Sequence, residues 1–188
     1  MKRLWLYSLL FTPMVAFASS KLALKSQIYV NGVVVGSACS VVVDSGASRS
    51  GLIEFGTYDK NKSNRRGTKS YPFTIKLYEK QATEPGCSAF LAGNDFVKFS
   101  FGDKSVNQLD ERGVITQGAG DNIRIAISST DTGVVSNRNT ITVNNAELTY
   151  PNQFAAKGVF GFMATADGLD SAEVGDYYGS LSLVVTYQ

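Results

Sequence analysis

The chain contains no histidine. That removes the usual general base at neutral pH and the commonest zinc ligand. Phosphate-loop chemistry is missing as well, because no glycine-rich loop precedes a helical pattern, and no carboxylate cluster has calcium-loop spacing. Cysteine is scarce: Cys39 and Cys87 are the two present. Helical periodicity is almost absent, and no repeat, linker or low-complexity segment divides the sequence. These gaps argue against an enzyme, against any metal or cofactor, and against a multidomain layout.

Long apolar runs are missing too. The longest, "LWLYSLLFTPMVAF", follows Lys2 and Arg3 and is interrupted by Ser8, Thr12 and Pro13. It falls short of the ~20 residues that span a bilayer. With Ala16-Phe17-Ala18 after it, the segment reads as a secretory signal peptide over residues 1–18, cleaved before Ser19. Losing Lys2 and Arg3 from the 18 basic residues leaves 16 against 16 acidic ones. The exported chain is therefore close to neutral, and nucleic acid is not an expected partner. Arg65-Arg66 reads as a solvated turn. In an exported protein the two cysteines are expected to pair, which stabilises by about 4 kcal/mol on the chain-entropy model.

What is present is alternation. Leu22, Leu24, Ile28 and Val30 alternate in "LALKSQIYVNGVVV". Phe73, Ile75 and Leu77 do so in "YPFTIKLY", Val97, Phe99 and Phe101 in "DFVKFSFG", and Ile123, Ile125 and Ile127 in "NIRIAIS". "SVVVD", "NTITVNNAELTY", "GVFGFMAT" and "GSLSLVVTYQ" complete about eight strands, with 18 glycines to supply turns. The expected fold is all-β, an antiparallel β-sandwich.

One stretch suggests chemistry. Asp44-Ser45-Gly46 follows three valines, and Asp131-Thr132-Gly133 repeats the triplet, as in the paired loops of an aspartic protease. Such a pair must share a proton across a short distance. However, Ser128, Ser129 and Thr130 replace the apolar lead-in at the second triplet, and the flanking sequences are unrelated. Asp-x-Gly is also ordinary turn chemistry, with glycine free to take positive φ. Two turns are the expected reading. A small secreted aspartic protease using Asp44 and Asp131 is the alternative, together with a self-complete secreted sandwich that binds a ligand.

The two ends carry more information. Leu22, Leu24, Ser26, Ile28 and Val30 precede Cys39, outside any loop a disulfide would close. A strand of this kind can serve β-augmentation, adding to another molecule's sheet. At the other end Leu181, Leu183, Val185 and Tyr187 alternate, with tyrosine next to last and Gly175 fourteenth from the end. Together with "YVNGVVVGSAC" and "YPFTIKLYE", these features resemble the pilins of the bacterial chaperone–usher pathway, the type 1 and P pilus group. The resemblance implies an immunoglobulin-like fold that is incomplete, its last strand supplied by a chaperone or a neighbouring subunit. Residues 19–31 would be an N-terminal donor-strand extension and 32–188 the pilin domain. The donor positions would be Leu22, Leu24, Ser26, Ile28 and Val30. The chaperone-binding C-terminal strand would carry Gly175, Leu181, Leu183, Val185 and Tyr187.

Implied partners are neighbouring pilin subunits, a periplasmic chaperone and an outer-membrane usher, on a route through the periplasm to a surface fimbrium. Implied function is that of a structural shaft or minor adaptor subunit in adhesion, polymerising by donor-strand exchange. The sequence departs from the family pattern twice. Ser26 stands where donor strands usually carry glycine, and "YEKQATEPG" lengthens the approach to the second cysteine.

Overall fold

A computed structural model describes residues 26–32, 39–47, 51–61, 68–93, 96–134 and 139–187, with side chains from residue 39 onward. The described residues form ten strands: β1 (Ser26–Gly32), β2 (Cys39–Asp44), β3 (Leu52–Ile53), β4 (Lys69–Glu79), β5 (Phe96–Phe101), β6 (Val114–Gly118), β7 (Arg124–Ser129), β8 (Glu147–Pro151), β9 (Val159–Asp167) and β10 (Tyr177–Tyr187). The one α-helix among the described residues, α1 (Asn152–Ala155), is a single turn. None of their helices is long and apolar enough to cross a membrane.

The alternating runs fold as their period dictates, with every second side chain turned inward. Phe73, Ile75 and Leu77 of β4 are buried, as are Val97, Phe99 and Phe101 of β5 and Ile125 and Ile127 of β7. Phe96, on the other face of β5, is 49% exposed. Hydrogen bonding runs in the order β2-β4-β9-β7-β6-β10-β1-β3, with β5 and β8 extending the second half from β10.

This path doubles over at β6. Val114 and Ile115 pair with β7, whereas Thr116, Gln117 and Gly118 pair with β10. One strand thus passes from one layer to the other, a usual way to make a sandwich corner. Aromatic rings close the space between layers. Phe99 meets Phe160 of β9 with centroids 4.5 Å apart, Tyr150 meets the same ring at 4.8 Å, and Phe101 meets Phe162 at 5.9 Å. The architecture is the expected immunoglobulin-like β-sandwich.

Three details differ from the sequence reading. β3 and β6 are additional strands, and of "NTITVNNAELTY" only its end belongs to a strand, β8. There the chain instead closes a tight turn, Thr142 bridging to Asn145, while the Ile141 N–H donates to Ile127 O at 2.7 Å.

Candidate assembly edge

β10 organises the second layer. Tyr177, Leu181, Leu183 and Val185 are buried, while Tyr178 on the opposite face is 48% exposed. One flank of β10 is shared by two strands, β6 against Tyr177–Gly179 and β5 against Leu183–Tyr187. The seam between them is closed by a side chain that alternation could not reveal. Gln108 Oε1 accepts from Ser182 N at 2.9 Å and from Asp103 N at 2.8 Å. The Gly102 N–H adds a bond to Ser182 O at 2.8 Å.

The other flank is taken by the chain's own β1, which runs parallel to β10. Its register sets Ser26 opposite Tyr177, Ile28 opposite Gly179, Val30 opposite Leu181 and Gly32 opposite Leu183. β3 pairs antiparallel with the far side of β1, Ile53 opposite Ile28 and Leu52 opposite Tyr29. β1 therefore lies between β10 and β3, and the described residues from Cys39 onward place no other strand there. Three of the predicted donor positions, Ser26, Ile28 and Val30, fall in β1; Leu22 and Leu24 lie outside the described residues. Of the predicted C-terminal set, Leu181, Leu183, Val185 and Tyr187 are in β10. Gly175 precedes the strand by two residues, with φ +157° and room for a Cβ only 3.0 Å from the Ala119 Cβ.

The cysteines pair, Cys39 to Cys87, with Cα atoms 5.9 Å apart and both residues buried. The lengthened approach to Cys87 is stitched down rather than loose. Gly86 N donates to Leu77 O at 2.8 Å, Cys87 N to Ala156 O at 2.9 Å, and Glu79 Oε1 accepts from Ser88 N at 2.6 Å. Hydrogen bonding from the Ser88 side chain, with its backbone N–H behind it, holds the Glu79 carboxyl below its ordinary range. After the disulfide the chain makes a 3₁₀ turn over Ser88–Ala92, and Phe90 packs edge-on against Tyr187 with centroids 5.1 Å apart. The disulfide thus anchors the Tyr187 end of β10.

The two Asp-x-Gly triplets come to different uses. Asp44 ends β2, pairs with Lys76 Nζ at 2.7 Å and accepts from Gly46 N at 3.1 Å. The Lys76 hydrogen bond, with the Gly46 bond behind it, holds the Asp44 carboxyl below its usual range. Asp131 accepts from Gly161 N at 3.0 and 3.1 Å through its two carboxylate oxygens, and burial pushes its carboxyl up despite those bonds.

The register runs Asp44 to Thr74 to Gly161, and Asp131 lies beyond Gly161. Three strand spacings of about 4.8 Å put the two aspartate backbones roughly 14 Å apart. Two groups that share a proton sit about 3 Å apart. The pair cannot form a protease dyad: Asp44 secures the turn after β2, and Asp131 ties the chain after β7 to Gly161 of β9.

No curated protein matches the chain. A family model described as K88 fimbrial protein A matches residues 1–188, and the chain belongs to that family, as a fimbrial subunit of the chaperone–usher group.

Proposed function

We propose that this subunit builds a surface fimbrium for adhesion by donor-strand exchange, as a shaft or minor adaptor component. In this reading residues 19–31, with Leu22, Leu24, Ser26, Ile28 and Val30, are given to a neighbouring subunit. The edge of β10 that carries Leu181, Leu183, Val185 and Tyr187 receives the corresponding segment. Before that exchange a periplasmic chaperone covers the edge, and an outer-membrane usher releases the growing fibre.

The observation that supports this most directly is the gap between β10 and β3. A segment from outside the disulfide-closed loop fills it, and without that segment the second layer is split. An exposed strand edge beside a buried apolar row is an aggregation hazard that must be covered by something. Four large apolar side chains (Leu22, Leu24, Ile28, Val30) contribute on the order of 10 kcal/mol gross when buried, at ~1.5–3 kcal/mol each. Backbone pairing along the strand supplies the rest.

Deleting residues 19–31 tests the proposal. The truncated subunit should cap the end of a chain of wild-type subunits and add no further, giving short oligomers by light scattering and electron microscopy. Fibre growth at the wild-type rate by the truncated form would sink it.

A further inference from the structure

We propose that Asn31-Gly32 is a modification site, where the unpaired chain cyclises, loses ammonia and becomes aspartyl or isoaspartyl, and that strand pairing at Asn31 suppresses the reaction. The inference goes beyond the assembly reading above and does not depend on it.

Asn31 is the one asparagine of the chain that glycine follows. Glycine has no Cβ to shield its amide nitrogen or to restrict the backbone around it. In the reaction the Gly32 nitrogen attacks Cγ of Asn31, forming a C–N bond as the Cγ–Nδ2 bond breaks. The side-chain nitrogen leaves as ammonia, carrying the proton that the Gly32 nitrogen gives up. Water then opens the five-membered imide at either carbonyl. One opening gives aspartate. The other gives isoaspartate, whose main chain runs through Cγ and is longer by a methylene. Nothing is oxidised or reduced, and water is the co-reactant.

The fold opposes the first step. Ring closure requires Asn31 to turn its ψ far from the value of about +115° that a parallel strand imposes. The ladder holds Asn31 by both of its backbone groups. Ser182 donates its N–H to Gln108 and accepts from the Gly102 N–H, so both of its own groups face away from β1. Along a strand, neighbouring residues turn their backbone groups to opposite flanks, so Leu181 and Leu183 face β1. Asn31 stands opposite Ser182, between those two, and its N–H and C=O are the groups they bond. Gly32 ends β1, and strand ends are where pairing opens first. Either product carries a carboxylate where an amide stood. The longer main chain of isoaspartate also breaks the pairing at 31 and loosens the end of β1.

Tryptic mapping by mass spectrometry tests the site on the full exported chain. After reduction, cleavage at Lys25 and Arg49 frees a segment that holds no second asparagine. Incubated at mildly alkaline pH in urea, the chain should convert Asn31 faster than any other asparagine. In the folded chain that conversion should be at least about tenfold slower, the protection a paired strand gives its backbone. Gly32→Ala should lose most of the conversion in urea, where its effect on folding has no bearing. Refolded isoaspartyl chain should have a lower urea midpoint than unmodified chain. Conversion in urea no faster at Asn31 than at the other asparagines would overturn the site. Equal rates in folded and unfolded chain would overturn its protection by pairing, and equal midpoints the loosening of β1. Fibre growth by the Δ19–31 subunit bears on the donor role alone, so the two readings fail separately.

Discussion

Removing the disulfide is the most informative single perturbation of this fold, because its effect can be worked out before the experiment. Cys39 and Cys87 are separated by 48 positions. On the chain-entropy model, opening a loop of that length frees the unfolded chain by about 4 kcal/mol at 25 °C. Both cysteines are buried, so the double replacement should be Cys39→Ala with Cys87→Ala, which avoids leaving serine hydroxyls unpaired in the core. A domain of this size has a stability of about 5–15 kcal/mol, so the loss is a large share of the total. With a urea slope of about 2 kcal/mol per molar, the unfolding midpoint should fall by roughly 2 M. Tryptophan is no help as a probe, since Trp5 lies in the expected signal peptide; far-UV circular dichroism or tyrosine fluorescence suits the assay. Reduced wild-type chain should unfold with the double variant. A midpoint within about 0.5 M of the oxidised protein would refute the reasoning, and would mean that the unfolded chain is already constrained across this loop.

Glycine supplies a second test by contrast. Gly158 has φ +68°, and a Cβ there would lie 2.5 Å from Gly86 N and 2.8 Å from Leu77 O; Gly46 has φ +75° in open space. Gly158→Ala should therefore cost about 3 kcal/mol or more, and Gly46→Ala only the 1–2 kcal/mol of backbone strain, both read from urea midpoints. Equal losses would contradict the packing argument. Asp131 makes the third. Burial raises its folded pKa above the ordinary 3.8, so the native chain holds a proton that the unfolded chain has lost. Its stability contribution is thus full below about pH 3.8 and falls as pH rises through the folded pKa. Asp131→Asn keeps an oxygen for the Gly161 N–H and removes the titration. Measured against wild type, it should be more favourable near neutral pH than at about pH 3, and a difference that does not change with pH would refute the assignment.

Much of the layout was readable from periodicity. β5 and β7 each bury one complete side of an alternating pattern and β4 and β10 most of one, and that pattern is carried by neighbouring residues. β6 was not readable, because its five residues divide between two layers and never present one continuous apolar face. β3, with two residues, is too short to show a period. The Asn139–Tyr150 stretch misled because its alternation continues through a turn, with Thr142 bridged to Asn145. At the assembly edge, the apolar rows were visible in both termini, while Gln108, which closes the seam beside Ser182, gave no signal. Its role depends on a strand more than seventy residues away.

From its residues alone, the chain determined that it makes a β-sandwich, that its cysteines have each other as partner, and which side of each long strand is apolar. These are local or compositional properties, so they survive without knowledge of neighbours. Tertiary structure decided what depends on long-range register. It set Asp44 and Asp131 about 14 Å apart, three strand spacings from one another. It also put β1 between β10 and β3, and gave that strand its parallel direction. Alternation has no direction, since a run reads the same forwards and backwards. Only the register of the folded chain, Ser26 opposite Tyr177 and Gly32 opposite Leu183, fixes one sense.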